Sequence, residues 1–174
     1  MYYSIRTAVN ASALLLLAGC ATGTIRPQAE PAADVGSSIT IAVGPCFGFC
    51  PVYRIEVGST GRVVFTGERH TAVIGERSRD AGAAAYRSLE ADLAEYRPAD
   101  GTTQRVECDA AITDTSTYTI TWRRADGREA EATHQSRCSG GQGQKLDVLL
   151  QSVPERLGVS AWAKQVTRPG ASRG

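Results

Sequence analysis

Four cysteines carry the chemistry that this sequence indicates most directly. An even set of thiols in an oxidising compartment predicts two disulfide bonds. The same thiolates could instead bind a soft metal such as Cu(I). Three pairings are possible, and the spacing alone does not choose among them. The four residues are Cys46, Cys50, Cys108 and Cys138.

The pairing that we favour joins Cys46 to Cys50 and Cys108 to Cys138. Bridged residues need Cα atoms within about 4.4–6.8 Å, whereas residues four apart on an extended strand lie about 13 Å apart. The first pair therefore requires a tight turn, which Pro45, Gly48 and Pro51 favour. The second pair requires the loop 109–114 to double back, because a hairpin register that matches the apolar faces of residues 117–123 and 129–135 sets Cys138 opposite residue 114.

A fifth cysteine, Cys20, is predicted to carry lipid rather than a disulfide. It follows Leu17-Ala18-Gly19 and an apolar run, and that run is too short for a transmembrane helix. With Arg6 as the positive end, residues 1–19 have the three parts of an export signal. The sequence resembles a bacterial lipobox, which implies cleavage before Cys20 and acylation there. Ala21 in place of an aspartate implies the outer membrane in the sorting pattern of enterobacteria, with the domain on the periplasmic side.

Composition divides the rest of the chain into a tether, a domain and a tail. Residues 20–37 are rich in small residues and proline without apolar periodicity, as in a flexible tether with a reach of about 20–25 Å. Residues 38–166 are long enough for a single domain with its own core, and residues 167–174 read as a loose tail. Loss of Arg6 leaves 18 basic and 18 acidic residues, a balance that argues against a nucleic-acid partner.

Alternating apolar residues predict one N-terminal strand and two hairpins. Residues 39–43 alternate as a strand. In the first hairpin, residues 52–66, the apolar faces match when Val57 lies opposite Val63, which leaves a three-residue loop that ends at Gly61. In the second, Trp122 lies opposite residue 130, and the loop ends at Gly127.

A helix follows each hairpin, which gives the order β-ββ-α-ββ-α. Residues 80–96 and 144–152 each carry an apolar stripe at helical spacing, and Pro154 predicts a kink or a restart of the second helix. We therefore expect an α+β domain whose antiparallel sheet is covered by two helices on one face.

The nonapeptide from Pro45 to Tyr53 (Pro-Cys-Phe-Gly-Phe-Cys-Pro-Val-Tyr) resembles the signature of an uncharacterised domain family of bacterial lipoproteins. The resemblance continues through Thr113-Asp114, the second hairpin, Cys138 and Ala161-Trp162, over about residues 38–163. It implies a fold and no mechanism, because the family has no established activity.

A copper or thiol-redox site at Cys46, Cys50 and His134 is the alternative to structural disulfides. Cys46, Cys50 and Pro51 are similar to the Cys-x-x-x-Cys-Pro motif of Sco-type copper chaperones, which add a histidine farther downstream. His134 stands 84 residues after Cys50, and two thiolates with one imidazole suit Cu(I). In those proteins a helix starts at the motif and lowers the thiol pKa, whereas residues 52–57 here alternate as a strand.

The remaining polar candidates favour solvated or structural roles, and the sequence predicts no catalytic residue and no cofactor. His134 lies on an apolar strand face, where a hydrogen-bonded core histidine is expected, and neither it nor the exposed His70 accompanies a nucleophile elbow. An acidic cluster matches no calcium loop, and a glycine-rich run before the second helix matches no phosphate loop. We therefore expect a non-enzymatic binding or structural domain, held at the membrane by lipid, with an envelope protein or the cell wall as its partner. The acidic cluster is Glu107, Asp109 and Asp114, and the glycine-rich run is residues 139–143.

Overall fold

A computed structural model of the chain describes residues 36–166. This part of the chain forms nine strands and three α-helices, and a single 3-10 turn, Ala94–Tyr96, follows the first helix. The elements in chain order are β1 Ser38–Val43, β2 Val52–Gly58, β3 Arg62–Arg69, β4 Gly75–Asp80, α1 Ala83–Leu93, β5 Thr103–Val106, β6 Ala110–Ala111, β7 Thr117–Arg123, β8 Glu129–Gln135, β9 Cys138–Ser139, α2 Gly141–Arg156 and α3 Ser160–Ala163.

Seven of the strands form one sheet in the order β4-β3-β2-β1-β7-β8-β5. Every neighbouring pair is antiparallel except β5 and β8, which are parallel. The expected mixed α+β class with a mainly antiparallel sheet is confirmed, but the expected five-strand topology is wrong. The sheet has one additional edge strand on each side, β4 and β5. The sequence does not predict these strands because they carry almost no apolar alternation: every residue of β4 is exposed, and Val106 alone is buried in β5.

The registers of the two hairpins agree with those expected from their apolar faces. Val57 lies opposite Val63, and Trp122 lies opposite Ala130. Gly61 closes the first loop with φ 94°, a conformation that glycine adopts without strain. A Cβ there would also overlap the backbone of Gly82 just before α1, so this glycine lets the hairpin and the helix approach closely.

The helices differ from their expected bounds at both ends. The first begins after Asp80, which instead ends β4 and accepts a hydrogen bond from the Gly82 N–H at 2.7 Å. The second begins at Gly141 and runs through Pro154 to Arg156, so that, of the expected kink or restart, the restart does not occur. Proline removes only one hydrogen bond near the end of a helix, and the neighbouring Val153 and Leu157 are buried in the core.

The core lies between one face of the sheet and the helices. Side chains alternate along the strands, so that β1, β2, β3 and β7 direct isoleucine, valine, phenylalanine and tryptophan into it. Leucines of α1 and α2 complete the cluster. The opposite face of the sheet is lined mostly by polar side chains, among them Thr40, Arg54, Glu56, Thr121 and Arg123. No helix within residues 36–166 is long and apolar enough to cross a membrane.

The two ends of the sheet differ in how the strands are connected. The loops 59–61 and 125–127 lie at one end, which we call the hairpin end, and Gly36 lies there beside Ala125. The other end holds the irregular segments 44–51, 70–74, 107–116 and 136–140, and all four disulfide-forming cysteines belong to it. We call it the disulfide end.

Replacement of Phe65 by alanine is expected to destabilise the domain by about 3–5 kcal/mol, the usual effect of removing a buried aromatic ring. Phe65 is 0% exposed and its ring centroid lies 5.5 Å from that of Tyr53 and 6.0 Å from that of Trp162. Phe47→Ala is the matched control, since this ring is 91% exposed and its loss should change stability by less than about 0.5 kcal/mol. Urea unfolding with the disulfides intact measures both, and equal effects would contradict this placement of the core.

Candidate functional site

Both disulfides lie at the disulfide end and fix its irregular segments. Cys46 and Cys50 are bonded with a Cα–Cα distance of 5.7 Å. Gly48, between them, has φ 142°, a region that favours glycine. The bond therefore closes the tight turn that this spacing requires.

The second disulfide joins Cys108 to Cys138 with a Cα–Cα distance of 5.4 Å. The chain brings them together because β5 runs parallel to β8 and sets Val106 beside His134. Next, Ala111 pairs with Cys138 in the β6–β9 ribbon. The loop therefore doubles back, as this pairing demands, and residue 111 rather than 114 lies opposite Cys138.

The turn between Cys46 and Cys50, which we call the aromatic loop, presents two phenylalanines to solvent. Phe47 is 91% exposed and Phe49 is 41% exposed. The loop is held in place on both sides: the Phe47 N–H donates to the Asp114 carbonyl at 3.2 Å, and the Gln165 side-chain amide donates to the Phe49 carbonyl at 2.8 Å. The rings are thus displayed on a covalently closed and hydrogen-bonded support.

Two further exposed apolar residues adjoin the aromatic loop. Ile112 lies next to the segment that binds the Phe47 N–H, and its carbonyl accepts hydrogen bonds from Thr115 and Gln135. Val166 donates its N–H to the carbonyl of His70, whose ring contacts Phe49 edge-on at 5.3 Å. We call Phe47, Phe49, Ile112 and Val166 the distal apolar surface. His70 is a half-buried neighbour of this surface rather than the exposed residue that the sequence suggests.

A second group of side chains, which could act as metal ligands, lies inside the disulfide end. A ring nitrogen of His134 and the sulfur atoms of Cys108 and Cys138 all lie within 4.8 Å of one another. His134 is 1% exposed, and its ring stacks on Tyr118 at 6.4 Å. We call these three residues the His134 cluster.

Each ring nitrogen of His134 lies near an oxygen atom, but Nε2 forms no hydrogen bond. Its Nδ1 lies 3.4 Å from the Val106 carbonyl oxygen. Its Nε2 lies 3.8 Å from Oδ1 of the buried Asp147 and has no hydrogen-bond partner. The Asp147 carboxylate instead accepts the Arg137 backbone N–H and the Gln151 amide. Burial lowers the pKa of His134 below that of a free histidine, against the opposing effects of the Val106 carbonyl and Asp147, so this imidazole is uncharged at neutral pH.

The metal hypothesis from the sequence groups His134 with Cys46 and Cys50. Within residues 36–166, three potential ligands converge at the other cysteine pair instead. The parallel pairing of β5 with β8 places His134 beside Cys108 and Cys138 rather than beside Cys46 and Cys50. The sequence analysis does not identify Asp147 as a candidate. An aspartate between the apolar Leu146 and Leu150 on a helix nevertheless indicates a buried carboxylate, which is rare in proteins unless it is paired.

One of the acidic candidates, Asp109, lies against the glycine-rich run. Glu107, Asp109 and Asp114 are exposed, as expected. The Asp109 carboxylate lies so close to Gly140 and Gly141 that a Cβ on either glycine would press against it. A carboxylate of the chain itself therefore occupies the start of α2, the position that favours negative charge in a helix.

Comparison with known proteins gives one match. The model of a family described as a domain of unknown function (DUF6438) matches residues 37–156. No curated protein matches the chain. No solved structure matches it.

Gly143→Ala is expected to destabilise the domain by about 1–3 kcal/mol through overpacking. Gly143 is buried in α2, and a Cβ on it would lie 2.5 Å from the Cys138 sulfur and 2.5 Å from the Glu107 carbonyl oxygen. Helix propensity alone predicts the opposite sign, a gain of about 1 kcal/mol.

Gly58→Ala is the control, because a Cβ there would meet its nearest neighbours at 3.8 and 4.0 Å. We expect a change below about 0.5 kcal/mol for it in chemical denaturation. Stabilisation by Gly143→Ala would show that α2 does not approach the second disulfide as closely as described.

Proposed function

The chain belongs to the family described as a domain of unknown function (DUF6438), and from that premise we propose that it is a lipid-anchored envelope protein that binds a protein partner. The binding surface is the distal apolar surface. The observation that carries the proposal is Phe47, an aromatic side chain that is 91% exposed at the tip of a disulfide-closed turn.

Exposure of this kind is typical of a contact surface. Aromatic side chains dominate the energetics of protein interfaces, and contiguous exposed apolar patches on monomers mark sites of interaction. The disulfide and the hydrogen bonds of Phe47 and Phe49 limit the conformations of the aromatic loop before binding. A preordered loop loses little conformational entropy on association, which favours affinity.

The position of the surface favours a protein partner over the anchoring membrane. In the proposal, Cys20 carries the lipid and residues 20–37 tether the domain; Cys20 and nearly all of this tether lie outside the described residues. The described chain begins at Gly36, at the hairpin end, whereas the distal apolar surface lies at the disulfide end. With the tether attached at the hairpin end, the disulfide end is the end farther from the point of attachment. The balanced charge of the chain gives no support to a nucleic-acid partner.

Removal of the lipidated thiol should prevent both lipid attachment and cleavage of the signal. Cys20→Ala is expected to abolish incorporation of radiolabelled palmitate, since the thioether cannot form. Signal processing by the lipoprotein pathway should also stop. Metabolic labelling and fractionation of an enterobacterial host measure both effects.

Ala21→Asp is the matched control for sorting. It should keep the label and move the protein from the outer to the inner membrane fraction, as the sorting pattern implies. Equal labelling of the wild-type chain and the Cys20→Ala variant would rule out the anchor.

A photocrosslinker in place of Phe47 should capture the partner in intact cells. We expect one discrete protein adduct when p-benzoylphenylalanine replaces Phe47, with a lower yield when Phe49→Ala is added. The control carries the same crosslinker at Val148, which is 63% exposed on α2 and lies outside the distal apolar surface.

The same adduct from both positions would indicate proximity without a specific surface and would contradict the proposal. Adducts with lipid alone from position 47 would contradict a protein partner. The yield of the discrete adduct at position 47, relative to that at position 148, is the quantity to be compared.

A further inference from the structure

We propose that Cys108, His134 and Cys138 form a Cu(I) site once their disulfide is reduced. This inference concerns the interior of the disulfide end and does not depend on the proposed binding surface or on the lipid anchor. It starts from the convergence of two sulfur atoms and one imidazole nitrogen within 4.8 Å.

The separation of the three donors suits a single metal ion. Metal–thiolate and metal–imidazole bonds of about 2.0–2.3 Å hold donor atoms on one ion no more than about 4.6 Å apart. The Cα atoms of Cys108 and Cys138 lie 5.4 Å apart, so both thiolates can reach one ion after the S–S bond opens.

His134 is prepared for a ligand in a way that a core histidine is not. It is 1% exposed, and its Nε2 is buried without a hydrogen-bond partner, an arrangement that destabilises a polar atom unless something binds it. Each ring nitrogen also lies near an oxygen, Nδ1 near the Val106 carbonyl and Nε2 near Asp147. Whichever nitrogen binds the metal, the other therefore has an acceptor that can orient the ring, as in known histidine–metal sites.

The donor set favours Cu(I) over Zn²⁺. Two thiolates and one imidazole are soft to intermediate ligands, a set that binds Cu(I) and Zn²⁺. Structural zinc takes four protein ligands and catalytic zinc takes three with an open position for water, whereas the group found among the described residues supplies three donors that are buried or half-buried. The buried Tyr118 ring stacks on His134 and covers one face of the imidazole.

Reduction supplies the thiolates, and a dithiol protein of the thioredoxin class is the reductant that the chemistry requires. Its thiolate attacks the half-exposed Cys108 sulfur, the S–S bond breaks, and the buried Cys138 leaves as a thiolate. The second thiol of the reductant then displaces Cys108, so that the reductant becomes a disulfide and the protein a dithiol. Binding of Cu(I) releases the two thiol protons. Disulfide and metal site are mutually exclusive, because each uses both sulfur atoms.

Anaerobic Cu(I) titration of the reduced full chain in detergent, against the chelator bicinchoninate, tests the proposal. The test chain carries Cys20→Ala, Cys46→Ser and Cys50→Ser, so that its remaining thiols are Cys108 and Cys138. We expect it to bind one Cu(I) per chain, with X-ray absorption that reports two sulfur donors and one nitrogen donor. The same chain with its disulfide re-formed should bind none.

Two further variants separate this site from the alternatives. His134→Gln in the test chain should weaken Cu(I) binding by about a hundredfold or more, because loss of a residue that only supports a ligand already costs about 10–100-fold. A chain with Cys20→Ala, Cys108→Ser and Cys138→Ser keeps only Cys46 and Cys50 and should not compete with bicinchoninate.

The proposal fails if the reduced test chain, folded by circular dichroism, does not bind Cu(I). It also fails if the chain that retains Cys46 and Cys50 binds equally well, or if the test chain prefers Zn²⁺ in direct competition. Sulfur-only coordination in the absorption spectrum would remove His134 from the site.

Discussion

Two covalent bonds hold the end of the sheet at which three-residue hairpin loops are absent. At the hairpin end, three-residue loops with a final glycine connect the strands and set their register. At the disulfide end, the connecting segments are longer and irregular and contribute few residues to the core. Segments of this kind gain little from apolar burial, and their ordering costs conformational entropy. The Cys46–Cys50 and Cys108–Cys138 bonds reduce that cost by limiting the unfolded chain, by about 2 and 3.5–4 kcal/mol in the chain-entropy model.

The same constraint explains why this end can carry features that a hydrophobic core would not hold in place. Phe47 stays exposed because its loop is closed by a disulfide and by backbone hydrogen bonds rather than by burial of its ring. His134 stays buried with an unpartnered Nε2 because β5, α2 and the second disulfide surround it. One outer surface and one inner cluster thus depend on two separate bonds. The proposed contact with a partner and the proposed Cu(I) site can therefore be tested independently.

The sequence predicts those parts of the fold in which burial follows a local period. Alternation on β2, β3, β7 and β8 gives the hairpins and their registers, and the helical stripes give α1 and α2. The sequence does not predict the edge strands, because β4 is exposed throughout and β5 buries one residue, so neither has an alternating pattern of burial. The His134 cluster is not predicted for a different reason. Its members meet through the parallel pairing of β5 with β8, a long-range contact that the spacing of residues along the chain does not reveal.

The disulfide end depends most on the connectivity of its cysteines, and peptide mapping of the native chain under non-reducing conditions measures that connectivity directly. The protein is isolated from cells with its free thiols blocked at the moment of lysis, digested without reductant, and analysed by mass spectrometry. We predict one peptide closed internally between Cys46 and Cys50 and one linked pair that joins Cys108 to Cys138. Crossed linkage between the two pairs, or blocked thiols at Cys46 and Cys50, would contradict the disulfide-held end on which the proposed binding surface rests.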